Sequence, residues 1–425
     1  MAYELFTRGN TMKISIIGTG YVGLPTACAF AKWGNKVTCL DINQEKIKQL
    51  QQGIPTIYEK GLDKLLLETK DKIKFTTNYN DIKGSDFIIL AVGTPMSENG
   101  EANLSYIIDA VKSINNVYPN ALIVVKSTVP VGTCAKLNKY IPKGKIASMP
   151  EFLREGFALD DIFNPDRIII GTPEDNIFNT IESAYPQSMK DKIHRIKTTE
   201  SSELIKYASN AFLAIKIHYI NEIANLCERT GADVNDVAYG MGLDSRIGNK
   251  FLQAGCGYGG SCFPKDTNAI YALAETKGID LSLVGTAING NRKRQRNIAY
   301  DINTIHNKKS KLSVLGLAFK AGTDDVRESP AINIINNLDA KIISVYDPKA
   351  MDNAKKTITN KNVIFSHSME DCIYGANTIV IATDWQEFNN IYNYIKPQTT
   401  IIDLKNMLNR DKILLLQANY KGIGR

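Results

Sequence analysis

Histidine is scarce in this chain of 425 residues: the four copies stand far apart, at 194, 218, 306 and 367. That spacing argues against a histidine metal site and against a Ser-His-Asp triad. The seven cysteines, at 28, 39, 134, 227, 256, 262 and 372, are odd in number and scattered, with no CxxC pair. Zinc and a disulfide framework are therefore not expected, and a reducing cytoplasm is. No apolar run approaches the ~18 residues of a membrane span, and the opening MAYELFTRGNT lacks the apolar region of a signal peptide. Neither a membrane nor a metal is expected as a partner. The densest basic cluster, Arg292, Lys293, Arg294 and Arg296, comes with no nucleic-acid motif. A solvated face or a subunit contact fits it better.

What is present is a globular composition, 44% hydrophobic and 22% charged, long enough for roughly two to three domains. The net charge of +7 suits a substrate that carries phosphates. Short apolar runs at Lys13–Ile17, Lys36–Leu40, Phe87–Val92 and Leu122–Lys126 alternate with helical patterns, which predicts a parallel sheet covered by helices. From Ser201 to Arg229 apolar residues recur at helical spacing without Pro or Gly, and Gly231 ends the pattern. Strand runs return at Lys311–Leu315, Lys341–Tyr346, Thr378–Ala382 and Thr400–Asp403. The expected organisation is an extension over 1–11, an α/β domain over 12–200, a helical region over 201–305 and a second α/β domain over 306–425.

Five places carry chemistry. Gly18-Thr-Gly20-Tyr21-Val22-Gly23 follows a strand and opens an apolar helix, and Asp41 closes the next strand. That order reads as a dinucleotide turn with an acid for the ribose hydroxyls. Thr94 and Thr128 follow buried strands at the ligand end of such a sheet, although Pro-terminated strand ends would read the same. The segment Pro150-Glu151-Phe152-Leu153-Arg154-Glu155-Gly156 gathers two acids and an arginine, as a solvated loop also would. Lys206 and Asn210 stand four apart on the long helix, where a snorkelling lysine and a surface amide fit equally. Last, GYGGSCFPKD sets Cys262 among Gly257, Gly259 and Gly260, with Lys265 and Asp266 just downstream. A thiol on such a platform reads as a nucleophile, with Cys256 as rival and a tight structural turn as the plain alternative.

MKISIIGTGYVGL, VGTPMSENGEANLSY, KSTVPVGT, PEFLREG, IKYASNAFLAIK, DSRIGNKFLQAGCGYGGSCFPKD and GLAFKAGTDDVRESP occur in one order. In that order they resemble the nucleotide-sugar 6-dehydrogenases of the UDP-glucose/GDP-mannose dehydrogenase family. The resemblance implies two Rossmann-like, doubly wound domains joined by a long central helix, with a helical region that builds a homodimer. It implies NAD as cofactor and a four-electron oxidation of a hexose C6 alcohol, with UDP-glucose as the expected substrate and GDP-mannose as the alternative. Carried over by position, Cys262 matches the nucleophile, Lys206 the oxyanion-stabilising cation, Asn210 and Thr128 hydrogen-bonding supports, and Glu151 and Asp266 the proton-transfer acids. Gly18, Gly20, Tyr21, Val22, Gly23, Asp41, Lys46, Thr94, Thr128, Glu155, Lys265 and Arg327 match cofactor contacts. Glu151, Phe152, Leu153, Arg154, Lys206, Asn210, Phe251, Gly255, Gly259 and Lys320 match substrate contacts, and Arg246 a residue reaching across the dimer. One departure is Lys405, where many relatives carry an arginine; lysine loses the bidentate fork. Two-electron 3-hydroxyacid dehydrogenases share the Lys-x-x-x-Asn pair without the cysteine platform, and a silent NAD-binding scaffold would tolerate loss of Lys206 or Cys262.

Overall fold

The computed structural model describes residues 11–95 and 102–425. The expected N-terminal extension, apart from Thr11, and Met96–Glu101 of the VGTPMSENGEANLSY segment lie outside the described residues. The chain divides into two compact units, Met1–Ala208 and Ser209–Arg425.

The first unit is an eight-stranded sheet of order β3-β2-β1-β4-β5-β6-β7-β8. Its strands are β1 (Lys13–Ile17), β2 (Lys36–Leu40), β3 (Ile73–Thr76), β4 (Phe87–Leu90), β5 (Leu122–Val125), β6 (Lys145–Ser148), β7 (Ile168–Gly171) and β8 (Ile193–Ile196). All neighbours run parallel except β6 and β7, which meet antiparallel at Ser148 and Gly171. Central parallel strands are covered on both faces, which is why they read as continuous apolar runs. Ile14 and Ile16 of β1 enter one core cluster and Ile17 the cluster on the other side. Helix α1 (Gly23–Lys32) buries every residue from Gly23 to Ala31, because its Ala, Cys and Gly side chains permit close packing. Two predicted strands run on too far. Successive amides of Lys126 and Ser127 both donate to the Leu90 carbonyl at 2.9 Å, so the ladder breaks there and the ends of β4 and β5 become turns.

The second unit holds a wholly parallel six-stranded sheet of order β11-β10-β9-β12-β13-β14. Its strands are β9 (Lys311–Leu315), β10 (Ile342–Tyr346), β11 (Val363–Phe365), β12 (Thr378–Ile381), β13 (Thr400–Asp403) and β14 (Asn419–Gly422). Both sheets therefore wind outward in opposite directions from their first strand, the doubly wound order expected of Rossmann-like domains.

Helices named below are α2 (Gln44–Gln51), α3 (Ala158–Phe163), α4 (Thr199–Thr230), α5 (Phe263–Thr276) and α6 (Ser282–Ile305). The 32 residues of α4 span about 48 Å at the standard rise. It begins two residues before the apolar pattern does, because the Thr198 hydroxyl accepts the Ser201 amide at 3.1 Å. Gly231 ends it at φ 77°. Among the described residues no helix is long and apolar enough to cross a membrane.

Candidate active-site elements

In the first unit the glycine turn is built as its spacing predicts. Gly18 sits at φ +99°, and a Cβ on Gly23 would come 1.9 Å from the Gly18 carbonyl oxygen. Only glycine allows that approach of helix to strand. Gly20 is different: a Cβ there would meet nothing within 4 Å, so its face of the turn is open. Val22 caps α1 without a side-chain hydrogen bond; the Leu24 amide donates to the Gly20 carbonyl at 3.1 Å and Pro25 has no N–H, so the Gly23 amide is what the first turn offers an anion. The Asp41 carboxylate accepts from the Thr19 amide and hydroxyl at 3.0 and 2.7 Å and from the Asn43 amide at 2.9 Å. A carboxylate has about four acceptor positions, so one remains for a ribose hydroxyl. Lys46 lies in the first turn of α2. These residues fit a bound dinucleotide.

The second unit lacks such a vacancy. Asp347 closes β10 as Asp41 closes β2. Yet it accepts the amides of Leu317, Ala318, Lys349 and Ala350 and the Trp385 indole, all between 2.7 and 3.0 Å. No acceptor position is left for a ribose, which assigns the dinucleotide to the first sheet.

Thr94 and Thr128 meet, the hydroxyl of the first donating to the carbonyl of the second at 2.7 Å. At the end of the neighbouring strand, Glu151 receives the Lys206 ammonium at 2.8 Å and the Leu153 amide at 2.6 Å. The two charged side chains are only 7% and 5% exposed. Burial raises the Glu151 carboxyl, but Lys206, the Leu153 amide and Lys126 together outweigh it, and the group sits below the usual carboxylate range. The Phe152 ring carries the Arg167 guanidinium at 4.0 Å and the Lys206 ammonium at 5.5 Å. Arg154 forks onto Asp161 at 2.5–3.0 Å, and Glu155 is half-buried.

Asn210 follows Lys206 by one turn of α4. In the second unit its amide donates to Asp266 at 2.6 Å, while Lys265 holds the other Asp266 oxygen at 2.6 Å. Cys262 is the N-cap of α5, so its thiol stands at the positive end of a 14-residue helix, a position that favours negative charge. Of the seven cysteines, Cys262 alone is not buried. Burial raises the thiol of the rival Cys256, which is 3% exposed.

The segment that delivers Cys262 is fixed residue by residue. Gly255 donates its amide to Asn221 at 2.9 Å and gives its carbonyl to Arg294. Asn291 of α6 clasps Tyr258, accepting its amide and donating to its carbonyl, both at 2.9 Å. A Cβ on Gly259 would come 2.2 Å from the Glu328 carbonyl oxygen. The Gly260 amide donates to the Arg327 carbonyl at 3.0 Å, and Gly260 stands at φ +83° against the Phe319 ring. Lys320 lies 5.6 Å from that ring. Phe251, at φ 66°, and Tyr258 both meet the Phe263 ring edge-on. Arg327 and Arg246 fork onto Asp325 and Asp244, with Arg246 88% exposed. Lys405 reaches Asp384 at 3.6 Å.

Several positions that hold the candidate site in place escape a reading of the sequence. Asn221, Asn291 and Arg294 are buried polar residues inside helices, detectable only as polar interruptions of the buried stripe. Glu203, one turn before Lys206, takes the amides of Gly132 and Cys134 at 2.6 and 2.8 Å and so anchors the loop that follows Thr128. Glu59 takes the amides of Gly156 and Ala158 at 2.8 and 2.9 Å, fixing the Glu151–Gly156 segment at the start of α3 from almost a hundred residues away. Lys126 is buried at the end of β5.

Comparison with known proteins agrees with this geometry. Three models of the UDP-glucose/GDP-mannose dehydrogenase family match in order: the NAD binding domain over residues 12–189, the central domain over 200–293 and the UDP binding domain over 313–410. The chain is 42% identical to a UDP-glucose 6-dehydrogenase of Rickettsia typhi, over 97% of this chain and 99% of that one. It is 41% identical to the UDP-glucose 6-dehydrogenase YwqF of Bacillus subtilis, over 97% and 98%. A solved UDP-glucose dehydrogenase from Pyrobaculum islandicum superposes with a TM-score of 0.90 at 32% identity, covering 99% of this chain and all of that one.

Proposed function

Because the chain belongs to the UDP-glucose/GDP-mannose dehydrogenase family, we propose that it oxidises the C6 alcohol of UDP-glucose to the carboxylate of UDP-glucuronate, through a thioester on Cys262. It is an NAD-dependent oxidoreductase. NAD, when bound, supplies the hydride acceptor, twice per turnover. The balance is one alcohol, two NAD+ and one water giving one carboxylate, two NADH and three protons.

The glycine turn Gly18–Gly23 with Tyr21, Val22 and Asp41, together with Lys46, Thr94, Glu155, Lys265 and Arg327, serves the cofactor. Phe152, Leu153, Arg154, Phe251, Gly255, Gly259 and Lys320 serve the nucleotide sugar. Glu151 or Asp266 takes the alcohol proton as the first hydride leaves C6. The Cys262 sulfur then adds to the aldehyde carbon, giving a thiohemiacetal whose oxygen Lys206 and Asn210 stabilise while charge develops on it. Loss of the second hydride leaves the thioester. Water held by Thr128 attacks it, the carbon–sulfur bond breaks and the thiol is restored. The observation that carries this reading is Cys262 itself, the one cysteine of seven that is not buried, capping a helix in a rigidly held strap.

The regions 12–200, 201–305 and 306–425 take the roles of cofactor domain, helical dimerisation region and UDP-sugar domain, in a cytoplasmic homodimer. Phe212, Tyr219 and Leu226 support the dimer: spaced by seven along α4, they expose an apolar stripe at 62, 46 and 58%. In that dimer Arg246 reaches the partner's sugar nucleotide. The test is an assay of purified protein with NAD and a panel of nucleotide sugars including GDP-mannose. Two NADH per UDP-glucose supports the reading. One NADH with free aldehyde overturns the four-electron route, and no turnover with any sugar favours a scaffold.

A further inference from the structure

Lys126 is the charged group beside the Glu151–Lys206 pair to which the proposed chemistry gives no role. It occupies the first position beyond β5 and is 9% exposed. In the sheet Val125 pairs with Ser148, and the Met149 amide donates to the Val125 carbonyl at 2.8 Å. Lys126 therefore leaves the sheet beside the Met149–Glu151 segment. Val124, two residues before it, packs in one core cluster with Ala147 and Met149.

Among the described residues its ammonium makes no hydrogen bond or ion pair. The charged groups that face it are Glu151, from the end of β6, and Lys206, from α4. Burial, opposed by Glu151 and reinforced by Lys206, lowers its ammonium to about 8. A buried lysine without a direct partner is costly, and an apolar residue of the same length would hold the sheet better. One carboxylate with two ammonium groups also leaves the site with positive charge in surplus.

We propose that Lys126 is a positioning residue of the reaction, whose ammonium acts with Lys206 to hold Glu151 as the carboxylate. This rests on Glu151, of the two acids named above, being the one that takes the alcohol proton. The decisive experiment compares Lys126→Met and Lys126→Arg with the wild type, in pH profiles of kcat/KM for UDP-glucose and in melting temperature from pH 7 to 10.

Lys126→Met should move the acid limb of the profile to higher pH, because Glu151 loses a neighbouring cation. It should also erase an inflection near pH 8. Lys126→Arg should keep the acid limb of the wild type and likewise lose the alkaline inflection, since arginine does not titrate there. Superimposable profiles, or an arginine variant that behaves like the methionine one, would overturn the proposal.

The melting comparison needs no substrate. The folded ammonium titrates below a free lysine, so its protonation costs stability below about pH 8, a cost that fades toward the free-lysine value of ~10.4. Lys126→Met should melt higher than wild type at pH 7 and lose that advantage by pH 10. A difference that is flat in pH contradicts the proposal. Absence of turnover with every sugar, in wild type and variants alike, would instead count against the reaction assignment.

Discussion

Lys206→Met removes the cation 2.8 Å from a carboxylate that is itself only 7% exposed. Taking away one partner of a buried ion pair costs about 3–5 kcal/mol, because the remaining charge stays desolvated and unpaired. Here the nearby Lys126 and the Leu153 amide continue to stabilise Glu151, so the loss belongs at the lower end, about 3 kcal/mol. Glu151→Gln should cost a comparable amount by stranding Lys206. The double variant removes both charges and should recover most of the loss, so its cost falls well below the sum of the single ones. The pH dependence has a definite sign. The folded Glu151 carboxyl lies below its free value, so its contribution is present at neutral pH and is lost as pH falls through the folded value. In Lys206→Met the carboxyl is released toward protonation, and the deficit against wild type should shrink between pH 7 and pH 5. Urea unfolding followed by circular dichroism at both pH values measures all four proteins. Additive single costs, or a deficit that grows in acid, would refute the reasoning.

Three further outcomes follow from the same geometry. Gly260→Ala forces an L side chain to φ +83° with its Cβ 2.7 Å from the Phe319 ring. It should cost about 1–2 kcal/mol in backbone strain, with a fall in kcat larger than the drop in melting temperature accounts for. Cys256→Ala should keep most acid formation while Cys262→Ala abolishes it, measured as UDP-glucuronate by chromatography; equal losses would remove the case for Cys262. Glu59→Gln weakens two charge-assisted bonds to the Gly156 and Ala158 amides, each worth about 1.5–3 kcal/mol. It should raise KM for the nucleotide sugar roughly tenfold while leaving KM for NAD unchanged.

Four strands of each sheet were legible because buried parallel strands leave continuous apolar runs, whereas β3, β8, β11 and β14 expose part of their residues and leave no such run. The long helix was legible because twenty-nine residues, Ser201 to Arg229, pass without Gly or Pro. Their ends were less legible. Thr198 extends α4 by side-chain capping, and paired amides on the Leu90 carbonyl cut β4 and β5 short. Neither device leaves a periodic trace. The candidate site residues stood out because glycines, an isolated thiol and a lysine on an apolar helix are odd choices locally. Their supports did not. Glu59, Glu203, Asn221, Asn291 and Arg294 act on backbone groups distant in sequence, and a polar residue in a helix looks alike whether it holds a remote amide or faces water. The same blindness affects charge: the surplus cation at Lys126 shows only when the ends of two strands and one face of α4 are brought together.

The covalent step is the centre of the account, and rapid-quench mass spectrometry of the Cys262 peptide tests it most directly. With UDP-glucose and NAD in excess, peptide mapping during the first turnover should find a nucleotide-sugar adduct on Cys262 that decays as UDP-glucuronate appears, and none on Cys256. An unmodified Cys262 throughout turnover, with UDP-glucuronate still formed, would contradict it.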